Sequence, residues 1–169
     1  MNITLIGMPA SGKSTIGVIL AKRLGLSFVD TDLLIQEQEK RLLKEIIAQE
    51  GLEGFLKIEN QVNRDLCVSD SIIAPGGSVI YGHEAMEHFK QIGIVVYLKL
   101  SYKDLVERLD DLEERGVALK DGMTLKDLYN ERVPLYEKYA DITVDEAGKT
   151  PGNIVDELRR IIEDKLTGK

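Results

Sequence analysis

The residues best suited to chemistry stand near the start of the chain, where Gly7-Met8-Pro9-Ala10-Ser11-Gly12-Lys13-Ser14-Thr15 follows the apolar run Ile3-Thr4-Leu5-Ile6. The spacing, a glycine, four residues, then Gly-Lys-Ser, is that of a loop that binds phosphate. Gly7 and Gly12 permit backbone angles that turn successive N–H groups, those of Ala10 and Ser11 among them, inward as an anion nest. Lys13 opens a helix whose N-terminal end carries partial positive charge, so a cation and a helix dipole meet the same phosphates. Ser14 offers a hydroxyl to a magnesium ion, and Thr15 completes the motif. Alone, the loop implies a nucleoside triphosphate and leaves kinase, hydrolase and switch protein open.

Two further groups could complete a site. Asp30-Thr31-Asp32 ends the short run Ser27-Phe28-Val29, read as a buried strand, and thus falls at the C-terminal end of a parallel strand, where open α/β sheets hold their ligands. Pro75-Gly76-Gly77-Ser78 follows Ser71-Ile72-Ile73-Ala74. Its glycines fit a plain turn or a close approach of backbone to a ligand. Arg132, in Asn130-Glu131-Arg132, either meets a substrate or pairs at the surface with Glu131 or Glu137. His83 and His88 have no cysteine or third histidine near them in sequence, which argues against a metal site. The single Cys67 excludes an internal disulfide and, lying in an apolar helical pattern, reads as a buried thiol.

The elements that must position these residues alternate strand with helix from end to end, the pattern of a three-layer αβα fold with a central parallel sheet of about five strands. Ile16, Ile19, Leu20 and Leu24 recur at helical spacing, and Gly25 closes that helix. Residues 33–68 read as a helical insertion broken around Gly51 that forms one wall of an acceptor pocket. Ile94 to Leu98 is continuously apolar, as a strand buried on both faces requires. A helix over Lys103 to Leu112 leads into the charged, glycine-punctuated stretch 113–122, read as a mobile segment. Thr124 to Tyr139 reads as a helix interrupted at Pro134, with Tyr129, Tyr136 and Tyr139 packing the last helices. Ile142 to Asp145 is a last strand, and Thr150-Pro151 starts the final helix with a capping hydroxyl and a proline at the first helical position. All 169 residues are read as a single domain.

A net charge of −7 argues against a nucleic-acid surface, which needs basic stripes. No apolar run approaches the roughly 20 residues needed to cross a bilayer, and no secretion signal opens the chain, so a cytoplasmic protein, a monomer or weak dimer with no membrane partner, is expected.

With GMPASGKST at 7–15, DTD at 30–32, FxxxE from Phe55 to Glu59, PGGS at 75–78, ERVPLY at 131–136 and VDEAGKTPG at 144–152, the chain resembles the shikimate kinases. These are small-molecule kinases of the nucleoside monophosphate kinase superfamily with a phosphate-binding loop. The resemblance implies ATP- and Mg2+-dependent transfer of a phosphoryl group to shikimate, giving shikimate 3-phosphate in aromatic amino acid biosynthesis. By that likeness Lys13 holds the phosphates, Ser14 and Asp30 hold magnesium, and Asp32 orients the acceptor hydroxyl or takes its proton. Gly76, Gly77 and Ser78 present the substrate loop, Arg132 binds a carboxylate, and Phe55 and Glu59 flank the acceptor. Arg108 resembles the arginine stacked on adenine, Lys149-Thr150-Pro151 the turn over that base, and 113–122 the lid that folds over the phosphates, with Arg115 its arginine. Leu56 stands where the family carries a carboxylate-binding arginine, followed by Lys57 as a candidate contact, and Ser78 replaces a third glycine. Those differences keep gluconate, homoserine or a nucleoside open as acceptors, and a nucleotide-binding regulatory module as a further alternative.

Overall fold

The computed structural model describes residues 1–109 and 120–168, so that Arg115 and most of the lid read at 113–122 lie outside the described residues. Five parallel strands form the sheet in the order β2-β3-β1-β4-β5. They are β1 Asn2–Ile6, β2 Ser27–Asp30, β3 Ser71–Ala74, β4 Gly93–Lys99 and β5 Ile142–Asp145. The helices are α1 Lys13–Leu24, α2 Thr31–Glu39, α3 Leu43–Arg64, α4 His83–Ile92, α5 Tyr102–Arg108, α6 Leu125–Tyr139 and α7 Pro151–Thr167.

Side chains alternate across the sheet and build two cores. Ile3, Leu5, Ile72, Val96, Leu98 and Val144 face one layer, where Ile16 and Leu20 of α1 meet Ile154 and Leu158 of α7. Ile6, Ile73, Val95 and Tyr97 face the other, against Met86 and Phe89 of α4, Leu105 of α5 and Tyr136 of α6. Both faces of β4 are therefore covered, which explains its unbroken apolar run. The chain leaves β1 toward β2 on one side and leaves β3 toward β4 on the other. Its connections part at the C-terminal end of β1, where an open α/β sheet leaves a crevice.

The insertion is helical as expected, and Gly51 at φ 70° and ψ 175° breaks α3 where the sequence placed the break. Its helices enclose a small apolar cluster of Ile35, Ile46, Phe55 and Val62, with Leu56 packed against it. The final helix opens as read, with Thr150 Oγ1 accepting from the Asn153 amide and Pro151 in the first turn, a cap contributing about 1 kcal/mol.

Four expectations need correction. β2 is an edge strand with its residues partly exposed, because only β3 pairs with it. Asp30 ends that strand and caps α2, accepting from the amides of Asp32 at 2.9 Å and Leu33 at 3.3 Å; Asp32 therefore belongs to the first helical turn rather than to a strand end. Cys67 is exposed, since α3 stops at Arg64 and the following chain turns Leu66 and Val68 toward the core with Cys67 between them pointing away. Pro134 does not interrupt α6, which runs through it. Among the described residues no helix is long and apolar enough to cross a membrane.

Candidate active site

The phosphate loop holds its shape through backbone conformation. Gly12, at φ 77° and ψ 20°, is the left-handed cap from which α1 starts. Ala10 also sits at positive φ, 64°, a strain of about 1–2 kcal/mol for a residue with a Cβ. The Ser11 amide closes the turn onto Met8 O at 3.1 Å, and Ser11 is fully buried. Lys13 Nζ donates to Gly7 O at 2.9 Å and Met8 O at 2.8 Å. Burial pulls its pKa down to about 8, against the attraction of Asp32. No acidic residue occupies the first turn of α1, so the positive end of its dipole is left for an anion.

This loop forms one wall of a cleft of about 400 Å3. The facing walls come from α2, α3, the Pro75–Ser78 loop and α6, which contribute Asp32, Phe55, Glu59, Gly76, Gly77 and Arg132. Asp30, Ser14 and Thr15 line it as well. Asp32 Oδ1 and Glu59 Oε2 are buried there without a hydrogen-bond partner among the described residues. Burial raises the Asp32 pKa to about 6, with Asp30 repulsion adding to the rise and Lys13 opposing it. Glu59 rises to about 7, again through burial first, although Ser78 Oγ donates to its Oε1 at 2.7 Å.

The two glycines form a turn, with the Val79 amide donating to Gly76 O at 3.2 Å, and side chains of the cleft crowd closely around them. A Cβ on Gly76 would stand 2.9 Å from both Asp32 Oδ1 and Glu59 Oε2, and one on Gly77 3.0 Å from Arg132 Nη1 and Pro9 Cδ. Tyr136, stacked on Tyr97 at 5.1 Å, donates its hydroxyl to Gly77 O at 2.6 Å and ties the loop to α6. Arg132 is 1% exposed, so the surface-pair reading fails. Glu131 meets Tyr81 Oη at 2.7 Å and Lys120 at 3.6 Å, and Glu137 meets Lys99 at 3.9 Å. The Arg132 guanidinium lies 5.5 Å from the Tyr81 ring centroid.

Other candidates stand outside the cleft. Arg108 Nη1 donates to Ala10 O at 3.2 Å and does not line the cleft. Lys149 pairs with Glu157 at 2.7 Å, and Pro151 begins α7; neither lines the cleft. Lys57 is exposed on α3 and does not reach it. Among the described lining residues the cations are Lys13 and Arg132. His83 faces Tyr139 Oη and His88 the Leu66 carbonyl, and no group of three metal-binding side chains occurs among the described residues. The oxygens of Ser14 and Asp30 fit magnesium, a hard cation that keeps several waters and takes one or two carboxylates beside phosphates.

Sequence reasoning passed over Glu146, which is 3% exposed just beyond β5. It lies inside the VDEAGKTPG stretch, yet its burial follows from backbone bonds that no motif displays. Its amide donates to Lys99 O, and its carbonyl accepts from the Lys149 amide, both at 3.0 Å.

The shikimate kinase family pattern matches residues 9–163. The shikimate kinase of Persephonella marina is 34% identical over 158 residues, spanning 93% of this chain and 96% of that protein. The crystal structure of shikimate kinase from Aquifex aeolicus superposes at a TM-score of 0.86 with 32% identity over 100% of both chains. Shikimate kinase from Acinetobacter baumannii, solved in complex with shikimate, gives a TM-score of 0.84 at 31% identity and covers 99% of this chain and 94% of that one. The likeness runs from the phosphate loop through the helical insertion to the last helix, and the chain belongs to the shikimate kinase family.

Proposed function

We propose that the protein transfers the γ-phosphoryl group of ATP to a hydroxyl of shikimate, forming shikimate 3-phosphate in aromatic amino acid biosynthesis. One observation carries this reading: Asp32 Oδ1 is buried without a hydrogen-bond partner among the described residues, in a cleft bounded by Lys13 on one side and Arg132 on another. Phosphoryl transfer needs little covalent chemistry from the protein, only an oriented hydroxyl, in-line phosphates, neutralised charge and exclusion of water. Lys13 and the loop amides hold the phosphates, and Arg108 with the Lys149–Pro151 turn bounds the adenine side. Ionised Asp32 accepts a hydrogen bond from the attacking hydroxyl, aligns its oxygen with phosphorus, and is positioned to take the proton. Arg132 neutralises the acceptor's carboxylate, while Phe55, Glu59 and the Gly76–Ser78 loop bound the ring. Ser14 and Asp30 are the residues that would hold magnesium, which would supply charge neutralisation at the phosphates. Residues 33–68 thus serve as the acceptor-binding region of a single kinase domain.

ADP release coupled to NADH oxidation, with shikimate and ATP varied separately, tests this. Shikimate-dependent turnover is expected, and Asp32→Asn should lower kcat by about 10²–10⁴ with ATP binding retained. Absence of ADP release with shikimate overturns the proposal.

A further inference from the structure

Glu146 has no part in the chemistry above, yet it is buried beside it. Its side chain is 2% exposed, and its Oε1 lies 3.6 Å from Arg108 Nη1. Its Oε2 has no hydrogen-bond partner among the described residues. The same Nη1 donates to the carbonyl of Ala10, the phosphate-loop residue held at positive φ. One guanidinium thus joins three separate pieces of chain: the end of α5, the crest of the phosphate loop and the segment after β5. Both backbone groups of Glu146 are hydrogen-bonded, to Lys99 O and from the Lys149 amide, so its main chain is fixed while its carboxyl is buried against the more exposed Arg108. Arg108 itself is 38% exposed, and a long exposed side chain spends little time in one rotamer unless something holds it. A buried carboxyl close to a site for phosphates would repel them if unopposed. Burial raises its pKa to about 7, while Arg108 and then Lys13 favour the ionised form and Asp104 of α5 disfavours it.

We infer that Glu146 is a positioning residue for the nucleotide half of the site: it pins Arg108 against the Ala10 carbonyl, which both steadies the strained crest of the phosphate loop and holds the guanidinium where the base arrives. The inference rests on the role given to Arg108 above. It accounts for a glutamate at a buried position where an apolar residue would cost less.

The test is a double-mutant cycle in the full-length enzyme, with Arg108→Ala, Glu146→Ala and the pair, reading Kd for ATP by calorimetry alongside both KM values and the melting temperature. Arg108→Ala and Glu146→Ala should each weaken ATP by about five- to ten-fold, the double variant should be no weaker than either, and the shikimate KM should stay within two-fold. Glu146→Gln keeps an oxygen toward Arg108 and should restore affinity to within about three-fold of the parent. Additive losses in the double variant, or ATP affinity unchanged by Glu146→Ala while Arg108→Ala weakens it, would overturn the inference alone. ATP affinity unchanged by Arg108→Ala would remove the underlying role of Arg108 and the inference with it. A Glu146→Ala variant that melts early and binds ATP normally would make Glu146 a structural residue and also refute the positioning role.

Discussion

The two halves of the cleft are built on opposite plans. The half proposed for the nucleotide centres on a contiguous stretch, residues 7–15, which presents backbone amides, one helix terminus and one lysine. The half proposed for the acceptor gathers Asp32, Phe55, Glu59, Gly76, Gly77 and Arg132 from four separate segments and presents mostly side chains. A site made from main chain depends mostly on local conformation. One made from converging side chains depends on packing, and it concentrates charge: Asp32 and Glu59 crowd one glycine, and burial raises both pKa values. The departures from the family pattern, Leu56 and Ser78, fall in that second half. Ser78 is already wired into it through Glu59.

Removing Lys13 should have the largest effect. Lys13→Ala is expected to lower kcat by at least about 10³, since charge neutralisation at the phosphates is the main catalytic resource. The melting temperature should hold or rise, because a buried charge with a depressed pKa is lost. A variant that unfolds would turn the central residue of the nucleotide half into a structural lysine.

Gly76→Ala separates the halves. The added methyl would need to enter space 2.9 Å from two carboxyl oxygens, so the shikimate KM should rise about 10- to 100-fold, a cost of about 1.4–2.8 kcal/mol, with the ATP KM unchanged. Equal losses toward both substrates would break the division. Leu56→Arg sharpens it from the other side. Leu56 is only partly buried at the edge of the Ile35–Phe55 cluster, and a guanidinium there, added to that of Arg132, should lower the shikimate KM by about ten-fold. No change would mean that position 56 does not face the acceptor.

The smallest effect is on pH dependence. In the proposed mechanism Asp32 acts ionised, so kcat/KM for the acceptor should rise as pH increases through about 6 and level off above it. Stability runs the other way for this pair. With Glu59 raised from 4.5 to about 7, the folded protein binds a proton that the unfolded chain has released over that window. The Glu59 contribution is therefore full below the lower value and declines as pH rises toward 7. Chemical denaturation of Glu59→Gln against the parent at pH 5 and pH 7.5 isolates it: the variant should gain relative stability at the higher pH.

Much of this arrangement was readable before any coordinates. Strand alternation, the break at Gly51, the cap at Thr150 and the phosphate loop all follow from interactions within a few residues, and they appear where the sequence indicated. The misreadings occur where a distant partner overrides a local pattern. Ser27–Asp30 has a strand's composition, but its partial exposure depends on the order of strands beside it. Cys67 follows a helical pattern whose continuation is cut short because Leu66 and Val68 find the core by another path. Pro134 is tolerated within α6, where a strictly local rule predicted a break.

Local sequence therefore sufficed for the fold class and the phosphate loop, because backbone angles, helix dipoles and apolar periodicity act over one or two turns of chain, while the kind of reaction came from the family resemblance. The burial of Arg132, the shared crowding of Asp32 and Glu59 at Gly76, the outward turn of Lys57 and the hidden carboxyl of Glu146 required the folded chain. Each depends on what packs against a residue from tens of positions away. Desolvation, which sets both the charge state of these groups and the worth of their contacts, exists only after that packing is complete.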